Sequence, residues 1–132
     1  LDGRKPLRVF KTKSFVRFAR RERISDKGLA EAVRRAERGL VDASLGGGLI
    51  KQRVARPGQG RSGGYRVVLA WRVKARTVFL FGFAKSERDN IDDDELATLQ
   101  DVGRQFLEAT DTALTEALAK GALLEVMYDE DD

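Results

Sequence analysis

Residues 49–73, LIKQRVARPGQGRSGGYRVVLAWRV, hold two alternating runs around a glycine-rich centre. In LIKQRVA (49–55), Ile50, Gln52 and Val54 fall on one side, with Lys51, Arg53 and Ala55 on the other. In GYRVVLAWRV (64–73), Tyr65, Val67, Leu69, Trp71 and Val73 share a face, and Arg66, Val68, Ala70 and Arg72 share the opposite one. A period of two marks β-strands. Between them RPGQGRSGGYR, Arg56 to Arg66, has four glycines, one proline and three arginines in eleven residues. Whether this is a nucleotide loop or a hairpin turn decides the fold. A phosphate loop of the G-x-x-x-x-G-K-[ST] kind joins a strand to a helix. Here Arg61 replaces the lysine, Ala55 stands where the first glycine belongs, and a strand follows. The dinucleotide-binding glycine pattern fails on the same topology. The stretch therefore reads as a hairpin, its glycines permitting positive φ and close backbone approach. Turn chemistry alone does not call for Arg56, Arg61 and Arg66. Arginines beside exposed backbone N–H groups suit phosphate.

Working outward, LRVF (7–10) is a short strand, and SFVRFARRERI (14–24) places Phe15, Phe18 and Ala19 on one helical stripe behind a Ser14 cap. A second helix starts at Ser25 or Asp26, aligns Leu29, Val33, Ala36 and Leu40, and stops near Gly39. So short a connection predicts an antiparallel helical hairpin. SLGGG (44–48) breaks the pattern. Beyond the β-hairpin, KA (74–75) turns the chain into RTVFLFGFAK (76–85). Phe79, Phe81 and Phe83 fall on one face of that run and Val78, Leu80 and Ala84 on the other, as in a central strand covered on both sides. Asp92, Asp93 and Asp94 cap a helix with Leu96, Leu99, Val102 and Phe106 as its stripe. TDTALTEALAKG (110–121) is a further helix stopping at Gly121, and ALLEVMY (122–128) an edge strand. The expected fold is α+β: an N-terminal helical hairpin packed on a small antiparallel β-sheet, with C-terminal helices. The chain reads as a single domain over 1–132, with 1–6 a loose leader and 129–132 a disordered acidic tail.

The net charge of +4 hides a division. Residues 1–88 carry 23 Lys and Arg against 7 Asp and Glu, whereas residues 89–132 carry 2 against 14. A basic body of this kind attracts nucleic acid. Cysteine and histidine are both absent, which removes disulfides, thiol chemistry and every histidine-based triad. No apolar run approaches the roughly 18 residues of a membrane span and no signal peptide is visible. A cytoplasmic protein with no membrane association is expected.

If the hairpin is antiparallel, Lys51, Arg53 and Arg66 converge on one face, and Lys85 and Arg88 extend the cluster to five cations at one end of the sheet. Such a site needs no histidine to cleave RNA by its own 2′-hydroxyl. A base takes the 2′ proton, cations stabilise the phosphorane, and an acid protonates the 5′ leaving oxygen. A lysine crowded by cations, Lys51 or Lys85, favours its neutral form and can serve as base. Arginines stabilise the transition-state charge. No metal and no cofactor are required. The acids at 92–95 sit at a helix start, where they read as caps rather than metal ligands.

LGGGLIKQRVARPGQGRSGGYRVVLAWR followed by FLFGFAKSERDNI resembles the RelE/ParE superfamily of bacterial type II toxins, and most closely its RelE-like branch with the RxGxGxSGGYR stretch. The resemblance spans about residues 7–100 and implies a toxin that cleaves mRNA, usually in the ribosomal A site. It also implies a cognate antitoxin, in this branch often of helix-turn-helix type. By the resemblance, Lys51 and Arg53 match the two basic positions before the turn, Arg66 the arginine of the next strand, and Lys85 the lysine ending the long strand. Ser86 stands where ribosome-dependent members often carry a basic residue, and Ile91 and Asp92 where they often carry a tyrosine. The leaving-group acid and base-stacking roles then fall to Arg88 or Tyr65, with Arg88 the expected acid and Tyr65 an RNA-binding residue although its parity turns it to the core, while Arg56 and Arg61 are expected to hold flanking RNA phosphates. The superfamily also contains inhibitors of DNA gyrase, and a catalytically lost RNA- or antitoxin-binding homologue is a third reading.

Overall fold

The computed structural model describes residues 7–56, 60–72 and 75–128. Along the chain come β1 (Arg8–Thr12), α1 (Lys13–Glu22), α2 (Asp26–Glu37), β2 (Ala43–Gly46), β3 (Leu49–Arg56), β4 (Gly60–Arg72), β5 (Arg76–Ala84), α3 (Asp93–Glu108), α4 (Asp111–Lys120) and β6 (Leu123–Val126). The expected leader and acidic tail fall outside the described residues. The six strands form one sheet in the order β2-β3-β4-β5-β1-β6. Every pairing is antiparallel except β1 with β5, so the sheet is mixed rather than wholly antiparallel. Two helices and three strands separate β1 from β5 in sequence, which gives the chain the long return that a parallel neighbour requires.

Helices cover both faces of the sheet. On one, Phe15, Phe18, Leu29 and Val33 pack against Ile50, Val54, Tyr65, Val67, Leu69 and Phe79. On the other, Leu107 and Leu114 bury Leu49, Val68, Ala70, Val78 and Leu80. The alternation read in β3 and β4 is thus the division between the two cores. In β5 it breaks. Val68 of β4 pairs with Phe81 and Leu69 with Phe79, so a bulge at Leu80 shifts the register. Phe79 joins Phe15 under the helical layer, whereas Phe81 packs on the α3 side, 6.3 Å from Phe83 between ring centroids. The expected single face of three phenylalanines is therefore split. Gly82 takes the intervening helical-layer position because a Cβ there would lie 2.3 Å from the Phe18 ring.

Caps account for most element boundaries. The Thr12 hydroxyl, not Ser14, accepts the Phe15 N–H at 3.2 Å, and Ser25 caps α2 through Gly28 N–H at 3.2 Å. Asp92 and Glu95 form a reciprocal capping box at the start of α3. Leu40 lies beyond the end of α2 and is 55% exposed, so it leaves the expected stripe. In α3 the deepest positions are Gly103 and Leu107, flanked by half-buried Leu96, Leu99, Val102 and Phe106. The SLGGG stretch, read as a break, contributes β2 at the sheet edge. Among the described residues no helix is long and apolar enough to cross a membrane.

One buried polar group ties the helical layer to the sheet. Gln52 is 0% exposed. Its Nε2 donates to Ala32 O at 3.0 Å and Leu40 O at 3.2 Å, and its Oε1 accepts from Asp42 N–H at 2.7 Å. Gln52→Leu would remove three hydrogen bonds to the backbone that a leucine cannot replace. It is expected to lower unfolding stability by about 3 kcal/mol, read as a drop in the urea midpoint at unchanged m-value.

Candidate nucleic-acid interface

Register brings the cations together. Arg53 of β3 stands directly opposite Arg66 of β4, and Lys51 opposite Val68. Because Ile50, Gln52 and Val54 face the helical layer, Lys51 and Arg53 emerge on the other face, next to the turn where the chain enters α3. Lys85 begins that turn, its backbone N–H bound to Gly64 O at 3.0 Å. Lys51 Nζ donates to Asn90 Oδ1 at 3.0 Å, and Lys85 Nζ to Asp89 Oδ1 at 3.3 Å. Burial, and then the charges of Arg66 and Lys85, push the Lys51 ammonium below the ordinary lysine range. Burial and the repulsion of Arg53 lower Arg66 likewise, and Asp42 offsets part of that shift. A group of cations that destabilises its own charged forms gains most from an anion placed among them.

Asp42 is the anchor behind the cluster. Its carboxylate bonds Arg35 at 2.8 Å and accepts the Arg53 backbone N–H at 2.7 Å. Burial alone would raise its pKa, but these bonds with Arg35 and Arg53 outweigh it and lower the value. Gly64 holds the two strands at the required spacing, since a Cβ there would lie 2.3 Å from Val54 O and 2.8 Å from Arg56 N. Both are backbone atoms, so a side chain cannot be accommodated by a rotamer change. Gly64→Ala is expected to cost about 3 kcal/mol and to weaken RNA binding, checked by thermal melting and by anisotropy of a labelled RNA.

Arg88 belongs to the cluster by position but is tied back by three hydrogen bonds. Two of its nitrogens bind the Glu95 carboxylate, one at 3.1 Å, and Nε donates to Asn90 O at 2.9 Å. Its guanidinium lies 5.9 and 5.6 Å from the Phe81 and Phe83 ring centroids. Donating hydrogen bonds to Glu95 raises Arg88 above its ordinary value, while accepting them from Arg88 and from the Asp92 backbone N–H pulls Glu95 down to about 2. An arginine held this way retains its proton, which speaks against the expected leaving-group acid and for a role in fixing the 85–95 turn. Beside the turn a groove of about 340 Å³ is lined by Phe81, Asp94, Glu95, Thr98 and Leu99.

Two of the expected RNA-binding residues lie elsewhere. Tyr65 is 2% exposed, with its hydroxyl on Glu22 O at 3.3 Å, so its ring is not presented for base stacking. Arg56 stands 5.8 Å from the Tyr65 ring centroid and so belongs with the face covered by α1 and α2, not with Lys51. The side chain of Arg61 lies outside the described residues, as does the tip of the hairpin at 57–59. Sequence reading also missed Asp42 and Asn90. Asn90 accepts from Lys51 and from Ile91 N–H, yet 39 positions separate it from Lys51, and nothing in its local sequence signals the pairing. Among the described residues no group of acidic side chains is placed to hold a metal ion.

Residues 7–126 match the family model described as the RelE toxin of the RelE / RelB toxin-antitoxin system. No curated protein matches the chain.

Proposed function

The chain belongs to the RelE toxin family, and on that premise we propose that it is the toxin of a bacterial type II toxin–antitoxin system and a ribosome-dependent endoribonuclease acting on mRNA. The observation that carries the reading is the convergence of Lys51, Arg53, Arg66 and Lys85 on one sheet face, with the Lys51 ammonium destabilised there. In this reading neutral Lys51 takes the 2′-hydroxyl proton. The 2′ oxygen attacks the adjacent phosphorus, and Arg53 and Arg66 stabilise the charge that builds on the phosphoryl oxygens. The bond to the 5′ oxygen breaks, and the Lys85 ammonium donates the proton that oxygen needs. The products are a 2′,3′-cyclic phosphate and a 5′-hydroxyl. Proton transfers and side-chain cations suffice, so the scheme calls for no metal or cofactor. The antitoxin, the ribosome and a cytoplasmic location follow from the same reading.

A translation assay run beside a gyrase supercoiling assay tests it. Cleaved mRNA with supercoiling untouched is the expected result. Abolished supercoiling with intact mRNA would assign the chain to the gyrase inhibitors, and tight ribosome binding without cleavage would mark a homologue that has lost catalysis.

A further inference from the structure

The end of α1 carries a backbone outlier that the proposed reaction does not use. Arg23 adopts φ 58, ψ 40, and among the described residues it is the one non-glycine at positive φ. Its N–H closes the helix on the carbonyls of Ala19 and Arg20. This left-handed cap position favours glycine, which α4 uses in Gly121 at φ 77. An arginine kept at a strained position points to a task for its side chain.

Its surroundings are cationic and built on aromatic rings. Arg20 and Arg23 are exposed, with no acidic partner among the described residues. Arg21 pairs with Glu22 at 3.2 Å and stands 5.6 Å from the Phe18 ring. Phe18 meets Tyr65 edge-on at 5.9 Å, and Arg56 stands 5.8 Å from Tyr65 on the hairpin. The order Arg21, Phe18, Tyr65, Arg56 is therefore continuous across the helix end and the hairpin. A guanidinium over a ring keeps its N–H edge free to meet an anion. The helix dipole accounts for Arg20 and Arg21 in the last turn, but it does not require a cation in the left-handed position after them.

We propose that Arg20, Arg21, Arg23 and Arg56 form a second phosphate-binding surface, which takes RNA backbone away from the scissile bond on the side of the sheet covered by α1 and α2. The inference rests on the RNA-directed reading above. RNA is favoured over an acidic protein for two reasons. All four cations are arginines, whose planar fork matches phosphate. Arg56 also lies on the same hairpin as Arg53 and Arg66, so a strand leaving that cluster across the hairpin reaches this surface.

The test is an anisotropy titration of the full chain with a labelled 2′-O-methyl RNA, which binds but cannot be cleaved, over a series of salt concentrations. Arg23→Gly is the informative variant because it removes the charge and the strain together. It is expected to melt a few degrees higher than the wild type and to bind RNA several-fold more weakly. With Arg20→Gln and Arg21→Gln added, the slope of log K against log salt is expected to shrink by about 0.7 for each phosphate no longer neutralised. Higher melting with unchanged affinity and slope would overturn the proposal. So would unchanged RNA binding accompanied by weaker binding of polyglutamate, which would assign the surface to an acidic protein. Failure of the ribonuclease reading looks different: the wild-type protein would leave mRNA intact in the translation assay while the salt slope of RNA binding still fell in the arginine variants.

Discussion

Arg66→Ala is expected to lower the single-turnover rate of mRNA cleavage by about 10²- to 10³-fold, the loss usual for one donor aimed at developing phosphoryl or oxyanion charge. Arg66 sits on β4 opposite Arg53, with Phe83 as its partner on β5. Its charge is disfavoured by burial and by Arg53, so removing it relieves repulsion in the free protein. The melting temperature should hold or rise while activity falls, which separates a catalytic defect from unfolding. Arg66→Lys restores the charge without the planar fork and is expected to recover only part of the rate. Full activity in Arg66→Ala would show that the cluster is not the reaction site.

Lys51→Gln carries the other large effect, a loss of about 10²- to 10⁴-fold expected for a general base. The wild-type rate should climb with pH through the depressed Lys51 pKa, as the neutral amine becomes populated, and Lys51→Gln should abolish that limb. In Arg66→Ala the limb should move to higher pH, because one of the two charges opposing the Lys51 ammonium is gone. Lys51→Arg should not rescue the rate, since a guanidinium holds its proton. Linkage gives a second readout. The folded-state pKa of Lys51 lies below its unfolded value, so folding is penalised while both states are protonated, and the penalty fades as pH rises from the folded to the unfolded pKa. Lys51→Gln should therefore be at least as stable as wild type at neutral pH. A rate limb that persists in Lys51→Gln would move the base elsewhere.

How much of this was legible in the sequence depends on how local the signal was. Strands β3 and β4 announce themselves by strict alternation, and the same alternation predicts that Lys51, Arg53 and Arg66 share a face. The caps Ser25, Asp92 and Gly121 are equally local. Where geometry depends on distant pairing, the reading slips. The bulge at Leu80 arises from pairing with Val68 and Leu69, and it sends Phe81 and Phe79 to opposite cores. Nothing within 76–85 encodes it. The alternation of β4 also turns Tyr65 to the core, as the structure has it, whereas the glycine-rich setting of Arg56 suggested a place beside Arg66 and its guanidinium instead lies by the Tyr65 ring on the face covered by α1 and α2. Arg88 carried the right charge, but Glu95, seven residues on, pairs with its guanidinium through two hydrogen bonds. The parallel pairing of β1 with β5 likewise has no mark in either strand.

The most direct measurement of the central claim is the chemistry of the cut ends. The purified protein is incubated with ribosomes and a defined mRNA, and the fragment termini are mapped. Proton transfer at Lys51 and charge stabilisation at Arg66 predict a 2′,3′-cyclic phosphate on the upstream fragment and a 5′-hydroxyl on the downstream one, with both formed about 10²- to 10³-fold more slowly by Arg66→Ala. A 3′-hydroxyl with a 5′-phosphate, or intact mRNA on toxin-bound ribosomes, would contradict the account.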